Sequence, residues 1–305
     1  MIKTWMLKAV VQKAISWLPW KHSLNFLMQQ YITKRVHLSD EYFFDRLEHA
    51  IAHLNAFAQI KGGVPHRTFE LGTGWYPVVP VAMYLAGVEH VTTVDISKLA
   101  NRERVLTTLR SFVEAHAANR LSGLTVLPER MQRVEQLLRQ APDSLDVLLS
   151  ELGISYVITD ARRTSFSAGT FDFIHSNNVF EHIPADVLRG LLQEFERIRT
   201  ADGLMSHFID MSDHFAHLDT SITIYNFLRF SERAWRLIDN DIQPQNRMRL
   251  PQYHELYRQL GINVLQTSCR PGSVADVQRV PLASPFSEMD VSDVAVSHAY
   301  FVSSS

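Results

Sequence analysis

Residues 67–74 read RTFELGTG, an apolar run cut off by two glycines, and the junction they predict decides how the rest of the chain is read. The pattern predicts a strand over Arg67–Leu71 and a helix over 77–86, with Pro77 near its first turn. Glycines between the two let the backbone turn tightly and approach a ligand closely. Taken alone, Gly72–Thr73–Gly74 is equally a plain strand-to-helix turn. The next apolar, β-branched run, Val91–Val94, ends at Asp95, 21 positions after Gly74. A carboxylate at that place can accept hydrogen bonds from both hydroxyls of a ribose. A third strand, Tyr156–Thr159, ends at Asp160, where a carboxylate can accept from an adenine amino group. Three successive strand ends suited to one nucleoside are more specific than any of them singly.

Outward from these strands, helical periodicity fills 98–118 and 129–152. A fourth strand over Phe171–His175 precedes a helix at 184–199, and a fifth runs Gly203–Ile209. A late helix over Pro251–Leu260 and strands over Gly261–Ser268 and Val294–Val302 complete the pattern. Strands alternating with helices predict an α/β fold with a doubly wound, Rossmann-like parallel sheet. The position three after Gly74 is Pro77, so there is no G-x-G-x-x-G, and no lysine follows as in a P-loop. Pyrophosphate is therefore disfavoured, and NAD, FAD and ATP with it; a nucleoside without phosphates suits the loop better.

ELGTG at 70–74, VDIS at 94–97 and TDARRTSFSAGTFDFIHSNNVFEHIP at 159–184 resemble the successive motifs of class I S-adenosylmethionine-dependent methyltransferases. The likeness covers about 66–210 firmly and the last strands loosely. It implies S-adenosyl-L-methionine as cofactor, with Glu70, Gly72, Thr73 and Gly74 at its methionine part. It further implies Asp95 and Ile96 at the ribose, Asp160 and Ala161 at the adenine, and Ser176 and Asn177 facing the sulfonium. Two departures stand out: Tyr76 occupies a place where the family often has a third glycine, and 64 residues separate Asp95 from Asp160. That spacing exceeds the family's usual one. A helical insertion within about 98–152, covering the site or mediating self-association, is the expectation.

Before the first strand, residues 1–61 read as a helical appendage or lid, leaving 62–305 as the cofactor-binding domain. Met6, Val10, Ala14 and Trp17 mark the apolar face of a first helix that Pro19 ends; a second covers 22–35. A third covers 40–60, capped by Ser39 or Asp40, with Leu47, Ile51, Leu54 and Phe57 on one face; Gly62–Pro65 then breaks the chain. Lys3, Lys8, Lys13 and Lys21 with Trp5, Trp17 and Trp20 fit a membrane-surface helix. Tryptophans packed on the main domain are the favoured reading. The basic start lacks an uninterrupted apolar core and a cleavage site, so a cytoplasmic protein is expected. No apolar stretch reaches the roughly 18 residues of a membrane span. A net charge of −2 shows no basic excess and disfavours nucleic acid as a partner. Cys269 is the one cysteine, which excludes internal disulfides and cysteine zinc sites. A homodimer stays open.

The densest polar run, HFIDMSDH at 207–214, follows the fifth strand, with His217 and Asp219 beyond. Ligands of open α/β sheets bind past the carboxyl ends of the strands. The favoured reading is acid–base catalysis by His207, Asp210, Asp213 or His214, one of which takes a proton from an acceptor hydroxyl or amine. Metal binding by His and Asp spaced by three, or mere caps and turns, compete with it; no metal ligand set is assigned. His182 reads as a packing position. Tyr225–Leu228 and Asn246–Arg249 either face a substrate or, as favoured, form solvated surface. The expected function is methyl transfer from S-adenosylmethionine to oxygen or nitrogen of a small molecule. The alternatives are an RNA or protein side-chain methyltransferase and a non-catalytic binding module.

Overall fold

The computed structural model describes residues 4–16, 37–240 and 244–304. The expected helix over 22–35, together with Lys3, Trp17, Pro19, Trp20 and Lys21, lies outside them. Seven strands form one sheet: β1 (Arg67–Leu71), β2 (His90–Asp95), β3 (Ile154–Ile158), β4 (Phe171–Asn177), β5 (Arg199–Asp210), β6 (Asn263–Arg270) and β7 (His298–Ser304). Their order is β3-β2-β1-β4-β5-β7-β6. β1 runs parallel to β2 and to β4, and β2 parallel to β3, with Leu71 opposite both Val94 and Ser176. The order reverses between β1 and β4, and such a switch point is where open α/β sheets bind ligands. Among the described residues no helix is long and apolar enough to cross a membrane.

The chain divides into two compact units, which share β5 and β7. The sheet unit comprises 36–177, 190–207 and 302–305. Its first helix, α2 (Asp40–Lys61), starts where Ser39 Oγ accepts the Tyr42 N–H at 3.2 Å and stops at Gly62, φ 75°. Phe43, Leu47, Leu54 and Phe57, at helical spacing, enter the core. α3 (Val78–Leu85) is buried at every residue. α2 thus belongs to the core of this unit, and the domain boundary expected at 61 does not follow the packing.

The stretch expected to carry two helices holds three: α4 (Arg102–Ala117), α5 (Pro128–Gln140) and α6 (Leu145–Ser150). The single period read over 129–152 breaks at Ala141, φ 43°, before Pro142 and the Ser144 cap. Val105, Leu109 and Phe112 of α4, Met131, Val134 and Leu137 of α5 and Leu148 of α6 join the same core as α2 and α3. This insertion is a wall of the sheet unit. α7 (Ala185–Ile198) leads into β5.

Among the described residues the second unit comprises 4–16, 178–189, 208–240 and 244–301. It holds α1 (Thr4–Ser16), a 3-10 turn at Phe180–His182, α8 (Glu232–Ile238), α9 (Leu250–Gln259), β6, α10 (Val274–Gln278) and α11 (Val291–Ala295). α11 takes the place of the first residues of the expected last strand, which begins only at His298. In α1 the buried residues are Trp5, Ala9 and Gln12, whereas Met6 and Val10 are exposed, so the expected stripe is displaced by one residue. The displacement follows Trp5, which packs 6.0 Å from Phe215 and 5.8 Å from Phe230 and donates its backbone N–H to Asp219.

Phe112 is fully buried and meets Phe43 edge-on at 4.9 Å. Phe112→Ala should cost about 3–5 kcal/mol in denaturant unfolding; a loss below about 1 kcal/mol would show that α4 lies on the sheet unit as a detachable cap.

Candidate active site

Gly72 and Gly74 both have left-handed backbones, φ 89° and 66°, which L side chains rarely adopt. That conformation turns the Gly72 N–H to the Val94 carbonyl at 2.8 Å and the Gly74 N–H to Asp95 Oδ2 at 3.2 Å. Asp95 Oδ1 accepts from the Ser97 N–H at 3.2 Å. Burial raises the Asp95 carboxyl even against these bonds, while each oxygen keeps a lone pair for a further donor. Beside it, Ile96 is 76 % exposed, an apolar side chain held open at a strand end. Tyr42 Oη stands 3.9 Å from where a Gly74 Cβ would be, so α2 walls one side of the loop.

Glu70, expected at the methionine part, is instead 2 % exposed beneath the loop. Thr93 Oγ1 donates to Glu70 Oε2 at 2.7 Å, so Thr73 Oγ1, 2.6 Å away, is the donor to Thr93. Burial pushes the Glu70 carboxyl up to about 8. Asp160 is half-exposed, and its carboxylate is held by Arg162 in a forked pair that lowers it. Ala161 is buried.

Ser176 and Asn177 turn inward as well. Ser176 Oγ lies 2.8 Å from His207 Nδ1, and Asn177 Oδ1 lies 2.9 Å from His53 Nε2. His53 Nδ1 meets Ser206 Oγ at 2.7 Å. His53, His175 and His207 are all fully enclosed. Burial lowers His53 to about 4 and His207 to about 3, and His175 well below its usual range, so all three are neutral. His207 also stacks on Phe195 at 5.7 Å. It is one of the four residues expected to include a base; here its side chain is fully enclosed. No sequence signal named His53 or His175, apart from each being a polar residue on an apolar face.

In the second unit, Asp210 and His214 come together. His214 Nε2 lies 3.3 Å from Asp210 Oδ2, and His298 Nε2 lies 3.3 Å from Oδ1. Burial raises the Asp210 carboxyl, but the bonds from His214 and Ser212 and the charges of His214 and His298 outweigh it and leave it below its usual range. Asp213 serves the turn instead, accepting from the Phe215 N–H at 2.9 Å and from Asn226. Burial pushes its carboxyl up to about 6.

Arg247 and Arg249 are buried, against the solvated surface expected. Arg249 donates to the carbonyls of Met211, Val294 and Val296. A cavity of about 370 Å³ is lined by His182, Trp235, Asn246, Arg247, Met248 and Phe286, among others.

Glu70 binds its proton more tightly in the folded chain than in the unfolded one. Between the ordinary carboxyl range and about pH 8 the folded state holds more protons, so stability falls as pH rises through that window. Glu70→Gln should flatten this slope in a melting-temperature series from pH 5 to 8; an unchanged slope would show that Glu70 is ionised in the fold.

Residues 107–206 match the family model described as a methyltransferase domain. No curated protein matches the chain. Among solved structures, a protein of Pyrococcus horikoshii OT3 is 16 % identical over 57 % of this chain and 60 % of its own, at a TM-score of 0.34. An S-adenosylmethionine-dependent methyltransferase of Mesorhizobium loti is 12 % identical over 88 % of this chain and 99 % of its own, at 0.44. A phosphoethanolamine N-methyltransferase of Haemonchus contortus, in complex with S-adenosyl-L-methionine, is 12 % identical over 91 % of this chain and 59 % of its own, at 0.44. The chain thus spans about three-fifths of the length of the first and last of these. The matched segment takes in the whole of β3 and β4, the turn between them that carries Asp160, and the first part of β5. That segment, about a third of the chain, thus resembles a methyltransferase domain.

Proposed function

We propose that the chain transfers a methyl group to oxygen or nitrogen of a small-molecule acceptor. The observation that carries the cofactor half of this reading is the Asp95 carboxylate, anchored by the Gly74 and Ser97 amides at the switch-point edge of the sheet. Its remaining lone pairs would accept the two ribose hydroxyls, with the open side chain of Ile96 against the adjoining apolar surface. Gly72 and Gly74 would let the amino-acid end approach the backbone, and Thr73 and the protonated Glu70 would keep that backbone in place. Asp160 and Ala161 would border the adenine, Asp160 with Arg162 already on its carboxylate. Ser176 and Asn177 would contribute through their backbone, since their side chains serve His207 and His53. The cofactor, when bound, supplies a methyl group on a sulfonium, ready for in-line displacement; the protein's work is then positioning and exclusion of water.

For the acceptor, the cavity of about 370 Å³ in the second unit has the size of small-molecule sites. Its polar groups, His182, Asn246 and Arg247, are few among Trp235, Met248 and Phe286, which suits orientation of one small ligand. The acceptor's proton would go to the Asp210–His214 pair, the one couple among the four residues expected as bases that combines a charged carboxylate with an imidazole.

Calorimetry with S-adenosylhomocysteine tests the cofactor half. Asp95→Ala should weaken binding by about 1.5–3 kcal/mol, some 10- to 150-fold; unchanged affinity would remove the ribose site. His214→Gln and Asp210→Asn should lower turnover by roughly 10²–10⁴-fold while leaving that affinity near wild type. Full turnover in both would remove the base.

A further inference from the structure

Beside the Asp210–His214 pair, the 3-10 turn after β4 places Glu181 and His182. One ligand atom from each of Glu181, His182 and His214 lies within 4.8 Å of the others. Asp210, His214 and His217 form a second such group through the same histidine. We propose that Glu181, His182 and His214 bind a divalent first-row transition-metal ion, with Asp210 backing His214 and His217 at the rim.

Three features support an ion over a chance meeting of side chains. The first is the tautomer of His182. Its Nδ1 lies 2.7 Å from the Pro244 carbonyl, an oxygen that can only accept, so Nδ1 carries the proton and Nε2 the lone pair. A ligating imidazole is commonly oriented by such a bond from its other nitrogen. The second is the carboxylate behind His214. Asp210 is fixed by the Ser212 amide and flanked by His298, and it stands 3.3 Å from His214. A carboxylate behind a ligating histidine raises the ligand's basicity. The third is the burial of Glu181, 1 % exposed, which brings a carboxylate into the interior beside two imidazoles. A cation at that place compensates a buried carboxylate.

Two imidazoles and one carboxylate are borderline ligands that prefer Zn²⁺, Co²⁺, Fe²⁺ or Mn²⁺ to Mg²⁺ or Ca²⁺. Three protein ligands leave a position open. His182 also lines the 370 Å³ cavity, so the open position has a route to whatever occupies it. Binding of the ion does not depend on the methyl-transfer reading. Its use does: an acceptor hydroxyl brought to the open position would lose its proton more easily, and His214 would then act as a ligand in place of a base.

The full chain, stripped with a chelator and dialysed, is titrated with Co²⁺, following its visible absorption and its competition with a chromogenic chelator. One ion per chain is expected, tight enough to survive a large excess of Mg²⁺ and weakening as the pH drops from 7.5 to 5.5. Glu181→Gln and His182→Asn should each weaken it by about 100-fold or more, since even outer partners cost 10- to 100-fold. S-adenosylhomocysteine affinity, and melting temperature without the ion, should stay near wild type in both. The proposal falls if the stripped wild type binds no stoichiometric ion, or if both variants bind it as well as wild type does. The two readings fail separately. Co²⁺ binding without S-adenosylhomocysteine binding would remove the methyltransferase reading and leave the ion site; the converse would remove the ion alone.

Discussion

A single backbone amide, the Gly74 N–H turned back onto the Asp95 carboxylate, ties the end of β1 to the end of β2. Gly74 holds a left-handed backbone there, and two residues earlier Gly72, also left-handed, donates its N–H to the Val94 carbonyl. The two bonds continue the β1–β2 pairing past the point where the strands stop. The edge of the sheet is thus closed by backbone, and the side chain of Asp95 is aimed before any ligand arrives. Around that constraint the rest of the sheet unit is arranged: Tyr42 of α2 on one side of the loop, the Thr73–Thr93–Glu70 chain beneath it.

Strand and helix alternation was legible in the residues because each element carries its own period and its own punctuation. RTFEL needs no tertiary information to read as a strand, and Asp95 and Asp160 stand at strand ends because an apolar run stops at each. What escaped the reading is whatever depends on which face is covered. In α1 the exposed Met6 and Val10 and the buried Trp5, Ala9 and Gln12 differ only in what packs on them. Arg247 and Arg249 look like solvated charges in a polar loop, yet their guanidinium groups are spent on interior carbonyls. His207, one of the four residues expected to include a base, lies in a strand covered on both faces, and no local pattern separates such a histidine from a catalytic one. Glu181 and His182 were legible as letters of a motif, but their approach to His214 is a matter of folding, 32 residues further along the chain.

Beneath the glycine loop and along β4 and β5 the sheet unit buries neutral groups. Glu70 keeps its proton at neutral pH, and His53, His175 and His207 give theirs up, each because burial disfavours the charged form. The second unit holds the opposite arrangement. Asp210 stays ionised among imidazoles that can share its charge, and Arg249 keeps its own although burial lowers it to about 10.

Arg249 has a consequence for the order of events during synthesis. Its guanidinium joins Met211, just past Asp210, to Val294 and Val296, some 85 positions further along, and His298 meets Asp210 directly. On a growing chain the ribosome delivers the glycine loop and its carboxylates long before those carbonyls exist. The Asp210–His214–His298 cluster therefore cannot be completed until the last strand, β7, has been made.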